Sequence, residues 1–139
     1  MPGAPLIAKP RDMLTAAEAL EFARRHVEIW NARDLDAILD LYSDDAELVS
    51  PLAASLKGEP TLRGREALRD YFCRGLTNYP DLRFEIIDVF LCQSSVTIHY
   101  YGAGRKRVTE VMFLRADHKI ERVFAHYLCE PGGALRASA

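Results

Sequence analysis

Two different hydrophobic periods divide this chain. From Ala16 to Ala32, apolar residues recur every three to four positions, as they do on one face of a helix. Ala16, Ala19, Leu20, Phe22, Ala23, Val27, Ile29 and Trp30 make the apolar arc, and Glu18, Glu21, Arg24, Arg25, Glu28 and Asn31 the opposite one. Thr15 with Glu18 three residues on reads as a capping box. Asp34 caps a second, short helix with a stripe at Leu35, Ile38, Leu39 and Tyr42, ended by Ser43-Asp44-Asp45. Ala46 to Ser50 reads as a strand stopped by Pro51, and Leu52 to Arg63, with Gly58 and Pro60, as a loop. A third helix runs from Arg65 to about Leu76, followed by the turn cluster Asn78-Tyr79-Pro80-Asp81.

Beyond that turn the period falls to two. Leu82 to Cys92 alternates and then loses phase near Ile87-Asp88-Val89, where a bulge would restore it. Ser95 to Tyr101, Val108 to Arg115 and Ile120 to Leu128 complete a four-strand meander, turned at Gly102-Ala103-Gly104 and Ala116-Asp117-His118-Lys119. Helices followed by strands predict an α+β fold, three N-terminal helices packed on a curved antiparallel sheet. Residues 1–13, with three prolines, read as a flexible lead-in, residues 14–129 as one domain, and residues 130–139 as a flexible tail.

Composition narrows the classes of function. The 139 residues allow one domain with a real core. A net charge of −2 argues against nucleic acid or an anionic membrane as partner. The compact basic cluster, Arg105-Lys106-Arg107, falls between two strands and reads as a solvated turn. No run approaches the ~20 apolar residues of a membrane span, and the N-terminus lacks the pattern of a secretory signal. Cys73, Cys92 and Cys129 are odd in number and show no CxxC spacing, which suits reduced thiols in the cytoplasm. No HxH, HExxH or Gly-rich phosphate loop is present, so no metal and no cofactor is expected.

The stretch Trp30-Asn31-Ala32-Arg33-Asp34-Leu35-Asp36-Ala37, then Leu41-Tyr42-Ser43-Asp44-Asp45-Ala46 and a strand ending at Pro51, resembles the opening of the NTF2-like superfamily. The likeness is to its SnoaL-like and ketosteroid-isomerase-like members. Gly64-Arg65-Glu66-Ala67-Leu68 and His118-Lys119-Ile120 are similar to that superfamily's third-helix entry and closing hairpin. The resemblance spans roughly Thr15 to Leu128. It implies a cone-shaped cystatin-like α+β fold with a mostly apolar pocket for a small hydrophobic molecule, and a homodimer through the convex sheet face. Motif alignment with ketosteroid isomerases puts the base on Ser50, the tyrosine donor on His26 and the late-strand acid on Glu110. Serine is no base for a carbon-bound proton, so ketosteroid isomerisation by that mechanism is not expected.

Strand alternation supplies the remaining candidates. In one phase Val96, Ile98, Tyr100, Glu110, Met112, Leu114, Val123, Ala125 and Tyr127 point inward. His99, Val111, Phe113, Phe124 and His126 then form a convex face apolar enough to suit a dimer. His26 is the polar residue on the apolar arc of the first helix, and Glu110 is the carboxylate among inward strand residues. The two are expected to meet across the interior as the catalytic pair. Trp30, Tyr42, Ser50, Tyr71, Tyr100, Met112, Val123 and Tyr127 are the expected ligand-binding residues. Three readings stay open: an enzyme of proton transfer (isomerase, cyclase or dehydratase type), a non-catalytic ligand-binding or dimerisation module, and a structural dimer whose cavity is filled by side chains. A cavity well under about 300 Å³ would favour the last.

Overall fold

A computed structural model describes residues 13–131. The expectations for the two flexible ends fall mainly on residues 1–12 and 132–139, outside the described residues.

Helix α1 is Ala16–Asn31. Its capping box forms as the sequence indicates: the Glu18 N–H donates to Thr15 Oγ1 at 3.0 Å and the Thr15 N–H to Glu18 Oε1 at 2.9 Å. Ala19, Ala23, His26, Val27 and Trp30 form its buried face, whereas Leu20 is 58% exposed. Helix α2, Leu35–Leu39, is capped by the Asp34 carboxylate, which accepts from the Asp36 and Ala37 N–H groups.

The structure departs from the sequence reading over the next segment. Strand β1, Tyr42–Val49, begins where the second helix was expected to end. Tyr42 is buried by strand pairing, not by a fourth helical position: it lies in register with Ile120, whose N–H donates to the Leu41 carbonyl at 2.9 Å. The expected loop 52–63 contains helix α3, Pro51–Lys57, and strand β2, Thr61–Arg63. Ser50 caps α3 through a 3.1 Å bond from the Leu52 N–H, Pro51 takes the first turn, and Gly58 ends the helix at φ 85°. These are ordinary start and stop signals for a helix.

Helix α4 is Arg65–Asn78, followed by strands β3 (Glu85–Cys92), β4 (Ser95–Tyr101), β5 (Arg107–Leu114) and β6 (Ile120–Tyr127). The expected bulge is present: Ile86 pairs with Tyr100 and Asp88 with His99, leaving Ile87 unmatched. The six strands form one sheet in the order β2-β1-β6-β5-β4-β3. All neighbours are antiparallel except β1 and β6, which run parallel. The fold is therefore α+β, with the helices laid over the concave face of a curved sheet.

On that face the register stacks side chains in rows. One row is Tyr100, Val108 and Tyr127, the next is Ile98, Glu110 and Ala125, and the third is Val96, Met112 and Val123. Every member of the third row is 0% exposed. The convex face carries Phe90, Thr97, Val111 and Phe124 in register.

Candidate active site

A hollow opens over the first two rows and stops at the third. Its floor is Tyr100, Glu110, Ala125 and Tyr127, and its walls include Trp30 from α1, Tyr42 and Leu48 from β1, and Tyr71 and Phe72 from α4. Tyr79, Leu82, Phe84, Gly102 and Ala103 surround its mouth. The enclosed space is about 70 Å³, well short of the roughly 300 Å³ at the low end of drug-sized sites.

The hollow exists because of residue size. Glu110 faces Ala125 across the β5–β6 pair, and a single methyl group there leaves the carboxyl uncovered. The residue keeps some surface open to the hollow while its carboxyl lies deep inside the molecule. Tyr100, one step along the same face, donates its hydroxyl to Glu110 Oε1. Burial pushes the Glu110 carboxyl up from 4.5 to about 7. It therefore holds and releases a proton near neutrality, the property needed of a general acid or base.

Hydroxyls crowd around it. The Tyr71 O–H donates to Ser50 Oγ at 3.5 Å, so the side chain that caps α3 also reaches into the hollow. Burial raises Tyr42, Tyr71 and Tyr127 above the ordinary tyrosine range, and the Glu110 charge adds to the rise in each. These phenols stay protonated and serve as donors. Among the described residues no Lys, Arg or His lines the space, so an anionic ligand would meet no opposite charge from them. Among the described residues, no three His, Cys, Asp or Glu side chains converge as metal ligands would.

The expected catalytic pair does not form. His26 is 1% exposed, but it is absent from the hollow, and among the described residues neither ring nitrogen has a hydrogen-bond partner. It sits one turn before Trp30 on the same face of α1, its ring centroid 5.9 Å from Phe22 and 6.5 Å from Trp30. It backs onto a surface groove bordered by Asp40, Leu41 and the Asp117-His118-Lys119 turn. Burial alone lowers its imidazole from 6.5 to about 3. One helical turn is about 5 Å, enough to move the ring past the end of the hollow. Met112 and Val123 are also corrected: both are in the fully buried third row and neither lines the hollow.

Trp30, Tyr42, Ser50, Tyr71, Tyr100, Glu110 and Tyr127 do come together. The sequence reading missed Tyr79, Leu82 and Phe84. Tyr79 lay in a turn cluster, and nothing in the spacing sets that turn beside the sheet. Among the described residues no helix is long and apolar enough to cross a membrane.

Comparison with known proteins agrees with this architecture. A SnoaL-like protein of unknown function from Burkholderia thailandensis E264 superposes with a TM-score of 0.80 at 39% identity, over 84% of this chain and 99% of that one. The epoxide hydrolase/cyclase-like enzyme SalBIII, which has a role in pyran ring formation in the polyether salinomycin, superposes at 0.64 and 22% identity, over 80% and 91%. A protein of unknown function with a cystatin-like fold from Methylobium petroleophilum PM1 does so at 0.68 and 16%, over 89% and 85%. Both likenesses below 25% concern the fold alone. The SnoaL-like domain family matches residues 23–127, nearly the whole described fold, and the chain belongs to that family.

Proposed function

We propose that the hollow binds a small, uncharged, mostly apolar molecule by an oxygen-bearing end, and that Glu110 moves a proton on it. The observation that carries this reading is a lone carboxyl, uncovered opposite Ala125, hydrogen-bonded by Tyr100 and poised near pH 7 among protonated phenols. Ionised Glu110 takes a proton from a carbon beside a carbonyl. A tyrosine hydroxyl donates to the oxygen as charge builds there. Isomerisation, cyclisation or dehydration all use such a step. His26, remote from the hollow, has no part in it.

Proton–deuterium exchange at the α-carbon of a small cyclic ketone, followed by NMR in heavy water, tests the proposal. Exchange should rise with pH through about 7, as Glu110 ionises. In Glu110→Gln it should fall by about 10²-fold or more, and in His26→Leu it should persist. Binding without exchange in the intact protein would leave a ligand-binding module. The small enclosed volume favours a further reading, a structural domain that takes no ligand, and absence of both binding and exchange would establish it.

The same proposal includes a homodimer through the convex face. Phe90 is 54% and Phe113 37% exposed there, and Arg122 lies over both Phe113 and Phe124. Sedimentation should give twice the chain mass, and Phe90→Glu should reduce it to one. A cytoplasmic location fits the three exposed, unpaired cysteines.

A further inference from the structure

The junction Asn31-Ala32-Arg33-Asp34 carries more side-chain bonding than its helix–helix connection requires. Asp34 caps α2. The other two polar side chains reach to the far side of the hollow. The Asn31 Nδ2 donates to the Phe84 carbonyl at 3.0 Å, and the Phe84 N–H donates back to Asn31 Oδ1 at 2.8 Å. The Arg33 guanidinium donates to three carbonyls: Leu76 at 2.6 Å, and Tyr79 and Leu82 at 3.4 Å each. Two side chains thus grip residues 79–84, a stretch outside any helix or strand that supplies Tyr79, Leu82 and Phe84 to the mouth.

The opposite lip is Gly102. A Cβ there would lie 3.3 Å from Phe84 Cε1 and 3.4 Å from Val108 Cγ2, so the two lips meet closely. Arg33 itself has φ 61°, a backbone state that favours glycine. The chain places an arginine where glycine would be unstrained, and what the arginine adds is its hold on the loop.

We propose that Arg33 sets the aperture of the hollow, pinning the 79–84 lip so that single-ring molecules enter and wider ones do not. Arg33 is a positioning residue and does not touch the ligand. The size selection rests on the hollow's being a ligand site; the pinning of the lip does not.

Arg33→Gly separates this role from plain stability, because it removes the fork and relieves the left-handed strain together. Trp30 is the only tryptophan and walls the hollow, so its fluorescence reports access. With the melting temperature nearly unchanged, the acrylamide quenching constant should rise at least about threefold, as expected of a locally released segment. The Phe84 amide should exchange faster while amides of α4 do not. Arg33→Lys, which keeps the charge but loses the fork, should behave like the glycine variant. Phenol affinity should stay within about twofold while 2-naphthol affinity gains about tenfold, a difference of about 1.4 kcal/mol.

A folded Arg33→Gly protein with unaltered quenching and unaltered Phe84 exchange overturns the proposal. So does a uniform loosening in which the melting temperature collapses and all amides exchange faster. If neither phenol nor naphthol binds the parent protein, the ligand reading and the size selection fail, and quenching with exchange still decides whether Arg33 holds the lip.

Discussion

Two of the buried ionisable side chains, Glu110 and His26, have opposite surroundings. Glu110 sits where a row of the sheet ends in alanine, so space remains above its carboxyl and a tyrosine bonds it. His26 sits one helical turn beyond the hollow, backed by a surface groove, with both nitrogens unpartnered among the described residues. Burial shifts both away from their ordinary values, Glu110 up to about 7 and His26 down to about 3. At neutral pH one can exchange a proton and the other is locked neutral. A polar residue on an apolar face does not by itself mark a site. The difference here is that Glu110 lines the hollow and carries a hydrogen bond, whereas His26 lies outside it with neither.

The largest expected effect of this contrast is on stability against pH. Folded His26 takes a proton only near pH 3, whereas the unfolded imidazole does so near 6.5. Unfolding therefore absorbs a proton between those values, and stability falls as pH drops through the interval. The 3.5-unit gap is worth on the order of 5 kcal/mol at its acid end. Glu110 acts in the other direction. Its contribution is fully present below 4.5 and is lost as pH rises through about 7, a swing of about 3 kcal/mol. The two slopes oppose each other between pH 4.5 and 6.5. Urea denaturation across pH 3.5–8 should show His26→Leu removing the acid slope, with a gain at pH 7 of about 1–3 kcal/mol from relief of the unpaired imidazole. Glu110→Gln should remove the slope of opposite sign. If both variants tilt the curve the same way, the contrast between the two burials is wrong.

The sequence carried the contrast only in part. Period-two alternation placed Tyr100, Glu110, Ala125 and Tyr127 on the inner face, because a strand offers side chains just two directions. The bulge at Ile87 was readable as a loss of phase. Helix periodicity likewise put His26 inside, but it fixes direction and not depth, and one turn separated the ring from the hollow. Met112 failed similarly: alternation cannot tell which row of the inner face stays open. Tyr42 shows tertiary pairing overriding local pattern, since its i+7 spacing suited a helix while Ile120, 78 residues on, drew its backbone into a strand. The α3 helix is legible in Ser50-Pro51 and Gly58, but glycine marks a loop as readily as a helix end, so spacing alone does not separate the two. The 79–84 lip depends on long-range bonds from Asn31 and Arg33, which leave no mark in spacing.

A smaller effect probes what keeps Glu110 at neutrality. Burial raises its carboxyl, and the Tyr100 hydroxyl donates to it, a bond of the kind that favours a charged carboxylate. Tyr100→Phe removes that donor and keeps the ring that stacks on Phe84 at a centroid distance of 4.6 Å. The midpoint of the ketone-exchange profile should then move upward by about one pH unit, matching about 1.4 kcal/mol for the lost bond. The rate well above that midpoint should change less than the midpoint itself, since the ionised base is the same group. His26, with no donor to lose, offers no counterpart variant, and its titration should be indifferent to Tyr100→Phe. A midpoint that stays put would mean that burial alone sets the Glu110 proton, making the two residues differ only in the space above them.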